Sequence, residues 1–361
     1  MVVRVAAPLV APVRTTQLLT NDPTRRRHAI ADRLVSLIDA TPAGEQIDVV
    51  TYYIESERLA SALRSAITRG VSVHVILAGD PLSRRMLVGG RLIRFIRHHP
   101  DDGSWAQRSH GSARGGGGLM HEKTWRFSRS GDQRWIVVTG SYNPSPRSDD
   151  FGYSHMVQVA WDRAIYDEFA TIYREQHRQR RSAKPLVQAG GKGWSAYFMP
   201  MNRAQASGDP VMARLSAIPA DPTTTIKIEM YSMWGPRGIW IQRRLVAMAR
   251  QGARITLLAG PWVSSSIQDD LQRGGVQVES ACFADGTYTH AKEMAATWTA
   301  RGSRVWWTWV GSDNWTSGGT ADDEAVLGLQ GRNPYADYSK AFDAVRQRAG
   351  VPTSSCAAVL D

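Results

Sequence analysis

The stretch "LMHEKTWRFSRSGDQRWIVVTGSYN", residues 119–143, carries a polar pattern that recurs in the second half of the chain. Residues 289–314, "THAKEMAATWTARGSRVWWTWVGSDN", show the same order of His-x-Lys, an apolar run and Gly-Ser-x-Asn. The chain contains only six lysines, and two of them, Lys123 and Lys292, occupy the matching position. A motif that recurs at corresponding places of two halves predicts an internal duplication.

The segments that precede the two motifs are also similar to each other. Residues 47–80 and 226–261 each contain an apolar run, an amphipathic stretch and a second apolar run that ends in Ala-Gly. The β-branched and aromatic residues of Ile47–Tyr53 and Ile226–Tyr231 predict strands, and the second runs predict further buried strands. Each half is therefore expected to contain a strand–helix–strand unit with parallel pairing.

The expected helix boundaries follow the same two-fold pattern. Gly70 and Gly252 end the amphipathic stretches, where glycine commonly caps a helix C-terminus. Asp22-Pro23 and Asp209-Pro210 are predicted to open corresponding helices, because Asp is a favoured N-cap and Pro a favoured first helical residue. Both halves are thus predicted to share one arrangement of elements.

Together these repeats predict an α/β protein built from two pseudo-symmetric α/β sandwich domains. Residues 1–185 form the predicted N-terminal domain and residues 186–361 the C-terminal domain. The division falls in the basic, glycine-rich stretch 177–193, which is interpreted as a linker that follows a helix. A chain of 361 residues suits two domains of ordinary size.

The chain is basic, with 44 Lys and Arg against 33 Asp and Glu, a net charge of +11 and a pI near 9.9. This charge favours polyanionic partners such as nucleic acid, anionic lipid headgroups and other phosphates. The excess of arginine over lysine is equally typical of a codon bias, so the charge alone selects no partner.

The termini and the cysteines bear on location. No run reaches the ~18 apolar residues of a membrane-spanning helix. Residues 1–13 are interpreted as a linker or as the remnant of a trimmed signal peptide, and a secreted protein is expected on that basis. Cys282 and Cys356 have no metal-binding spacing. They predict one disulfide that anchors the C-terminal tail of an exported protein, or two free thiols otherwise.

The repeated motif combines side chains that suit phosphate. Lysine supplies a positive charge, and Ser and Asn supply neutral donors to phosphate oxygens. Histidine can act as a nucleophile or as an acid and base near neutral pH. Either half of the motif alone carries little information, but the combination in both halves points to one site. The candidates are His121, Lys123, Ser141 and Asn143 in the first half and His290, Lys292, Ser312 and Asn314 in the second.

This pair of motifs resembles that of the phospholipase D superfamily, in which two His-x-Lys motifs are each followed by Gly-Ser-x-Asn. The resemblance covers nearly the whole chain, because the strand–helix–strand units also fit the duplicated sandwich of that family. It implies that the halves pack face to face and bring both motifs into one active site at their interface. It also implies phosphodiester cleavage without a metal ion or other cofactor.

The resemblance further implies roles for individual residues. His121 is the expected nucleophile, which forms a phosphohistidine, and His290 is the expected acid, which protonates the leaving oxygen. The lysines and asparagines of both motifs are expected to stabilise the equatorial oxygens of the transition state. The hydroxyls of Ser141 and Ser312 are expected to bind substrate.

One departure from the family pattern concerns an aspartate five residues beyond the lysine. Ser128 and Thr297 stand at the two places where the pattern HxKxxxxD has aspartate. That aspartate is generally a supporting residue. The substitution therefore puts the local support of the site in doubt more than its chemistry.

A second departure concerns the residue that holds each histidine. The family usually has an acidic or amide residue just before the strand that follows Gly-Ser-x-Asn, and Glu324 takes that place in the second half. Matching the valines that follow puts His155 in the corresponding register of the first half, with Asp149 and Asp150 a few residues earlier. Glu324 is expected to orient a histidine ring, and Asp150 is a candidate substrate-binding residue.

The second motif is also rich in tryptophan. These indoles are expected either to fill a core or to line a cleft that grips an apolar chain or a base. The residues concerned are Trp298, Trp306, Trp307, Trp309 and Trp315.

The substrate stays open between several classes. A phospholipid is the leading expectation, with headgroup hydrolysis or transphosphatidylation and peripheral membrane contact. A nuclease or small-molecule phosphodiesterase is the alternative, favoured by the basic charge and by arginines such as those at 25–27 and 178–181. An inactive phosphate-binding module is a third reading, against which the intact His and Lys of both motifs count. Because one chain carries both motifs, a monomer is expected.

Overall fold

A computed structural model describes residues 14–99 and 103–360. The expectation for residues 1–13 therefore lies outside the described residues. The first half contains, in chain order, β1 (Thr15–Asn21), α1 (Ala29–Asp39), β2 (Gln46–Thr51), α2 (Glu57–Thr68), β3 (Ser72–Ala78), α3 (Pro81–Arg85), α4 (Leu87–Arg97), β4 (Trp105–Ser109), β5 (Lys123–Ser130), β6 (Gln133–Gly140), α5 (Pro146–Phe151), β7 (Gly152–Ala160) and α6 (Arg163–His177).

The second half repeats this plan with one added strand and two very short ones. Its elements are β8 (Val187–Gly191), β9 (Trp194–Phe198), α7 (Pro210–Ala217), β10 (Thr225–Trp234), α8 (Gly235–Arg250), β11 (Arg254–Val263), α9 (Ser265–Arg273), β12 (Gln277–Ser280), β13 (Tyr288–Thr289), β14 (Lys292–Ala300), β15 (Ser303–Gly311), β16 (Trp315–Thr316), β17 (Ala325–Gln330), α10 (Arg332–Arg346) and α11 (Thr353–Leu360).

Two mixed sheets with the same strand order confirm the predicted duplication. The first sheet runs β1-β7-β6-β5-β2-β3-β4, and the second runs β8-β9-β17-β15-β14-β10-β11-β12. In both sheets the three strands at one end pair in parallel, and the main pairs along the rest of the order are antiparallel. β5 therefore corresponds to β14, and β6 corresponds to β15. The predicted α/β class and its pseudo-symmetry are correct.

The predicted strand–helix–strand units form because their residues suit each element. In α2, Ser56 caps the first turn and the apolar residues at helical spacing are buried. Gly70 and Gly252 follow their helices with positive φ angles of 85° and 107°, a conformation that glycine adopts without a steric penalty. Asp209 caps α7 as predicted, accepting a hydrogen bond from the backbone N–H of Val211.

The matching prediction for Asp22-Pro23 is wrong. Asp22 accepts hydrogen bonds from the backbone of Thr24 and Arg25 and so forms a turn, which satisfies the local donors without a helix. α1 begins later, at Ala29.

The apolar core has three main layers. One face of the first sheet packs against α1, α2 and α4, and one face of the second packs against α7, α8 and α9. Between the sheets, Val137 and Val157 from the first half share an apolar cluster with Val310 and Leu327 from the second and with Phe169 of α6. The two sheets therefore pack face to face.

The connection between the halves is shorter than predicted. Residues 187–191, inside the predicted linker, form β8 and pair with β9, because their backbone groups complete the edge of the second sheet. The predicted boundary at 185/186 falls between α6 and β8. The halves interlock, since β13 of the second half pairs with β7 of the first, and their division into two domains stays a prediction.

Cys282 and Cys356 are free thiols that lie in one buried cluster with Tyr288. Their packing brings the start of α11 against the segment that leads to the second motif. None of the helices in the described ranges has the length and apolar character that a membrane crossing requires.

Candidate active site

Both motifs lie where strands of the two sheets begin and end. Lys123 is the first residue of β5 and Lys292 the first of β14, so each histidine stands two residues before its strand. β6 and β15 run back antiparallel to these strands and end at Gly140 and Gly311. The Gly-Ser-x-Asn corner thereby returns to the His-x-Lys end of the hairpin, as the sequence predicts.

Each histidine is held by backbone from the opposite half. The backbone N–H of His121 donates to the carbonyl of Asp323 at 3.0 Å, and that of His290 donates to the carbonyl of Tyr153 at 2.8 Å. These reciprocal contacts bring the two motifs to the interface of the halves. They also align Asp323 with Tyr153, and therefore Glu324 with Ser154.

The side chains behind the two imidazoles differ. His121 Nδ1 lies 2.7 Å from Glu324 Oε1. His290 Nδ1 instead lies 3.0 Å from the backbone carbonyl oxygen of Ser141. Both acceptors favour the tautomer with the proton on Nδ1, which leaves the Nε2 lone pair for chemistry.

The predicted register of His155 with Glu324 is wrong by one residue. Ser141 N–H donates to the carbonyl of His155, just as Ser312 N–H donates to that of Ala325. Ser154 is thus the counterpart of Glu324, and its buried hydroxyl has no hydrogen-bond partner in the described part of the chain. Matching the valines alone could not reveal this offset, because the register depends on contacts with Ser141.

The two lysines are buried beside the histidines. Lys123 Nζ donates to the carbonyl of His121, and Lys292 Nζ donates to the carbonyl of His290 at 2.6 Å. Burial lowers the pKa of Lys123 to about 8, although Glu324 opposes this shift. Burial and the charge of Lys123 lower the pKa of Lys292 well below its usual value.

The imidazoles are neutral bases in this setting. Burial and the neighbouring lysine charges lower the pKa of both His121 and His290 well below 6.5. The His121 side chain keeps 14% of its surface exposed, so the ring still reaches the solvent side of the cleft. Two neutral imidazoles next to two buried ammonium groups make a pocket in which an anion would relieve the mutual repulsion of the cations.

The hydroxyls of Ser141 and Ser312 contact the backbone of the next strand, and their expected role in substrate binding stays a prediction. Ser141 Oγ donates to the carbonyl of His155 at 3.1 Å and accepts from its N–H at 3.0 Å. Ser312 Oγ makes the matching pair of contacts with Ala325, at 3.5 and 3.2 Å. These hydroxyls fasten the corner to the next strand, because a serine at this turn reaches the adjacent backbone.

The two asparagines are differently placed. The Oδ1 atoms of Asn143 and Asn314 are buried and have no hydrogen-bond partner among the described residues. A buried amide without a partner costs free energy unless a ligand satisfies it. This placement fits the expected role as phosphate donors, since the oxygen and nitrogen of an amide can be exchanged by a flip.

The acidic residues of the first half do not reach the histidines. Asp150 pairs with the exposed Arg27 at 3.5 Å and so lies outside the cluster that the motif histidines and lysines form. Asp149 accepts from the hydroxyl of Tyr142, the variable residue of Gly-Ser-x-Asn, at 2.7 Å, and lies 3.2 Å from His28. Both carboxylates belong to α5, which covers the corner from its outer side.

The missing aspartates of the family pattern are replaced by hydroxyl contacts. Ser128 Oγ donates to Glu45 at 2.7 Å and accepts from the N–H of Gln46 at 2.8 Å. Thr297 Oγ1 donates to the carbonyl of Val305 at 2.7 Å. Ser128 therefore ties β5 to the start of β2, whereas Thr297 supports its own hairpin of β14 and β15.

Sequence reasoning did not single out two tyrosines that flank the motifs. The ring of Tyr52 meets His121 edge-on at 5.5 Å, and the ring of Tyr231 lies 4.5 Å from His290. Lys292 Nζ lies 4.7 Å from the centre of the Tyr231 ring. Both tyrosines lie near the end of the first predicted strand of their half, so their matching positions in the duplication are the signal that could have identified them.

A buried ionic cluster lies next to the second motif. His155 Nδ1 is 2.8 Å from Glu293, and both side chains are fully buried. Burial alone would lower the pKa of His155, but Glu293 raises it to about 9. Burial also raises the pKa of Glu229, on the adjacent strand, to about 7. His155 is thus a buried core residue, and it is charged.

The glycine-rich loop at 111–118 is fastened to the second half. Asp323 accepts from the N–H of Ala113, and Asp322 accepts from the N–H of Leu119 at 2.7 Å. A Cβ at Gly118 would come within 2.3 Å of the carbonyl oxygen of Ala321, so this close approach requires glycine. The acidic run that ends in Glu324 therefore holds the loop as well as His121.

The arrangement as a whole suits the binding and attack of a phosphate ester. It offers neutral imidazole nitrogens, two buried ammonium groups and two unsatisfied amides around one point of the interface. Among the residues of the described ranges, no three His, Cys, Asp and Glu side chains converge as metal ligands would.

This fold and site define a class of duplicated α/β proteins in which two His-x-Lys motifs meet between two sheets. Residues 34–176 match the family model described as "Cardiolipin synthase, PLD-like domain". The first half of the chain is thus similar to phospholipase D-like domains over these residues. No curated protein sequence matches it.

Solved structures agree with this fold. The polyphosphate kinase of Porphyromonas gingivalis aligns with a TM-score of 0.62 and 12% identity, over 96% of this chain and 52% of the kinase. The chain thus spans about half the length of that protein. The phosphatidylserine synthase of Haemophilus influenzae Rd KW20 aligns with a TM-score of 0.62 and 13% identity, over 92% of this chain and 86% of the synthase. Nuc of Salmonella typhimurium, a phospholipase D family member, aligns over 47% of this chain and 100% of its own, with 17% identity and a TM-score of 0.36.

Proposed function

We propose that the protein is a metal-independent phosphodiesterase that works through a phosphohistidine. The observation that carries the proposal is the contact of His121 Nδ1 with Glu324 beside two buried lysines. Burial raises the pKa of Glu324 well above its usual value, and the charge of Lys123 opposes that shift. When the ring becomes positively charged during attack, the ionised carboxylate on Nδ1 stabilises it and keeps the Nε2 lone pair directed outward. The lysines bind the non-bridging oxygens of the phosphate.

In the first step, His121 Nε2 attacks phosphorus, and the bond from phosphorus to the leaving oxygen breaks. His290 supplies the proton that the leaving oxygen takes. The low pKa of His290 in the free protein is compatible with this role, because a bound phosphodiester adds a negative charge nearby and thereby raises that pKa. His290 thus gains its proton together with the substrate.

In the second step, water or an alcohol attacks the phosphohistidine. His290, now neutral, removes the proton of the incoming oxygen, and the bond between phosphorus and His121 breaks. Lys123, Lys292 and the amides of Asn143 and Asn314 stabilise the equatorial oxygens in both transition states.

The proposed substrate class is phospholipid, with water or an alcohol as the acceptor. The match of the first half to a model described as cardiolipin synthase supports this choice over other phosphodiesters. The choice between hydrolysis and transfer depends on which acceptor, water or an alcohol, reaches the phosphohistidine.

A parallel assay tests the proposal. The full chain is incubated with phosphatidylcholine vesicles, single-stranded DNA and bis(p-nitrophenyl) phosphate, each with and without excess EDTA. We expect turnover of the vesicles and of the small ester, unchanged by EDTA. Loss of all turnover in EDTA, restored by a divalent ion, would contradict the mechanism, and absence of turnover on every substrate would favour an inactive phosphate-binding module.

A nuclease is the second candidate, and a specific observation favours it. Arg178, Arg180 and Arg181 are exposed just after α6, and Arg181 lies beside Gly116 of the loop at 111–118. These exposed arginines lie next to the loop at 111–118, which is fastened to the segment that contains Glu324. Their positive charges would suit the phosphate backbone of a nucleic acid. Faster cleavage of DNA than of vesicles, with a strong dependence on salt, would select this candidate.

A further inference from the structure

A cavity of about 340 Å³ lies on the helical side of the second sheet, away from the motif histidines and lysines. Its walls include Trp298, Trp307 and Trp309, three of the tryptophans that crowd the second motif in sequence. α7 closes one side of it with Arg214 and with small residues such as Ala213. Its volume is at the lower end of the range for small-molecule sites, about 300–1,000 Å³.

The aromatic wall is ordered rather than loosely filled. The rings of Trp307 and Trp309 are nearly parallel, at 9°, with centroids 5.5 Å apart. Gly328 makes room for this stack, because a Cβ there would come within 2.4 Å of Trp309 and 2.5 Å of Ser195. A glycine that leaves space for an indole creates a flat apolar wall.

Among the described residues, Arg214 is the only cation that lines this cavity, and it has an unsatisfied donor. The Arg214 guanidinium lies 4.9 Å from the Trp309 ring centre and 5.3 Å from that of Tyr197. Its Nη2 atom is buried and has no hydrogen-bond partner among the described residues. A buried donor without a partner is costly, so an acceptor at this point would stabilise the structure.

We propose that this cavity binds an apolar carboxylate, with the chain or ring against the indoles and the carboxylate on Arg214. An arginine fork matches a carboxylate in geometry and charge. A cationic ligand is disfavoured, because Arg214 already occupies the cation position over the rings. A free phosphate is disfavoured as well, because the wall is mostly apolar and offers one charged donor.

The test is a titration of the full chain with three ligands that share one alkyl chain. Decanoate, decanol and decyltrimethylammonium are added while binding is followed by calorimetry and by tryptophan fluorescence. We expect saturable binding of decanoate, at least about tenfold weaker binding of decanol, since a charge-assisted hydrogen bond is lost, and no saturable binding of the cation. Equal affinities for the acid and the alcohol, or no saturable binding of decanoate, would overturn the proposal.

Two variants and a control locate the site. Arg214→Met keeps the apolar stem and should reduce decanoate affinity to the level of decanol. Ala213→Leu fills the cavity from an exposed position and should weaken both ligands. Arg163→Met is the matched control, because Arg163 also lies over an indole, that of Trp135 at 5.6 Å, on an exposed helix end. An unchanged affinity in Arg214→Met, or an equal loss in Arg163→Met, would overturn the assignment.

Turnover in the phosphodiester assay separates this proposal from the proposed function. Neither Arg214 nor Ala213 contributes to the phosphate site, so both variants should keep the activity of the unmodified chain. Carboxylate binding can therefore fail while phosphodiesterase activity stands, and the reverse also holds.

Discussion

The two copies of the motif share their backbone contacts but differ in the group behind the imidazole. His121 has the Glu324 carboxyl group on Nδ1, whereas His290 has the Ser141 carbonyl there and Lys292 Nζ at 3.2 Å from its ring nitrogens. The counterpart of Glu324 in the first half is the small, uncharged Ser154. A duplicated fold thus holds two chemically different histidines. A carboxylate stabilises an imidazole that becomes positively charged, which suits a nucleophile. The uncharged carbonyl behind His290 stabilises an imidazolium less, which makes that ring a readier proton donor.

The largest effect that tests this difference is loss of either histidine. His121→Ala and His290→Ala should each reduce turnover of a phospholipid about 10³-fold or more, in line with acid–base contributions of 10²–10⁴. The double variant should be little worse than either single one, because the residues act as a unit.

The small ester distinguishes the two histidines. p-Nitrophenolate leaves with little need for a proton, so His290→Ala should release about one equivalent in a burst and accumulate the phosphohistidine. His121→Ala should show no burst. A burst in His121→Ala instead would reverse the assigned roles, and substantial steady turnover in either variant would exclude a two-histidine mechanism.

The lysines should come next in size. Lys123→Met and Lys292→Met should each cost about 2–4 kcal/mol of transition-state stabilisation, roughly 30- to 1000-fold in rate. The loss should appear in kcat more than in substrate binding, since fixed charges complement the transition state best. Lys184→Met, at an exposed position before β8, serves as the control and should keep full activity. Steady-state kinetics that fail to separate the three variants would assign the motif lysines a structural role.

Substitutions at Glu324 and at its counterpart Ser154 should have smaller effects on turnover, and these effects should differ from each other. Glu324→Gln removes a charge-assisted hydrogen bond worth about 1.5–3 kcal/mol and should slow turnover roughly 10- to 150-fold. Ser154→Ala, at the corresponding place of the first half, should change the rate less than about twofold, because its hydroxyl holds no partner. Equal effects of the two substitutions on turnover would show that the group at this position does not distinguish the two histidines.

The smallest effect concerns the pH dependence of anion binding. Sulfate stays a dianion at neutral and alkaline pH, so a change in its affinity reports on the protein. The pKa of Lys123 is lowered to about 8, and its ammonium therefore loses its proton as the pH rises through 8. Sulfate affinity should be constant just below that pH and fall about tenfold per pH unit above it. Calorimetric titrations should show this fall in the unmodified chain and a smaller one in Lys123→Met, in which Lys292 is the remaining ammonium group of the site.

The duplicated plan could be predicted from sequence because each half repeats its own pattern. Local residue types predict the strands that flank both motifs. Within the first motif, the apolar run that ends at Gly140 predicts the strand that leads from the His-x-Lys part to the Gly-Ser-x-Asn part. Asp209 and Asp22 show the limit of such local signals. Both precede a proline, yet only Asp209 caps a helix, since Asp22 satisfies the donors of a turn.

Contacts between neighbouring strands could not be predicted from the sequence. The offset of His155 against Glu324 depends on which backbone groups Ser141 and Ser312 meet across the next strand. The roles of these serines depend on the same contacts. The matching positions of Tyr52 and Tyr231 in the duplication indicate a pair, but only the fold shows that both rings lie beside the motif histidines.

The position of Ser154 also bears on how such a site can change over generations. In a dimer of identical subunits, one gene encodes both copies, so a substitution behind one histidine appears behind the other as well. This chain encodes its two copies separately. A mutation that removes a carboxylate from one copy leaves the other untouched, and each histidine is open to selection for its own task. The contact between His121 of one half and Glu324 of the other is an example of that independence, since Ser154 stands at the corresponding position of the first half.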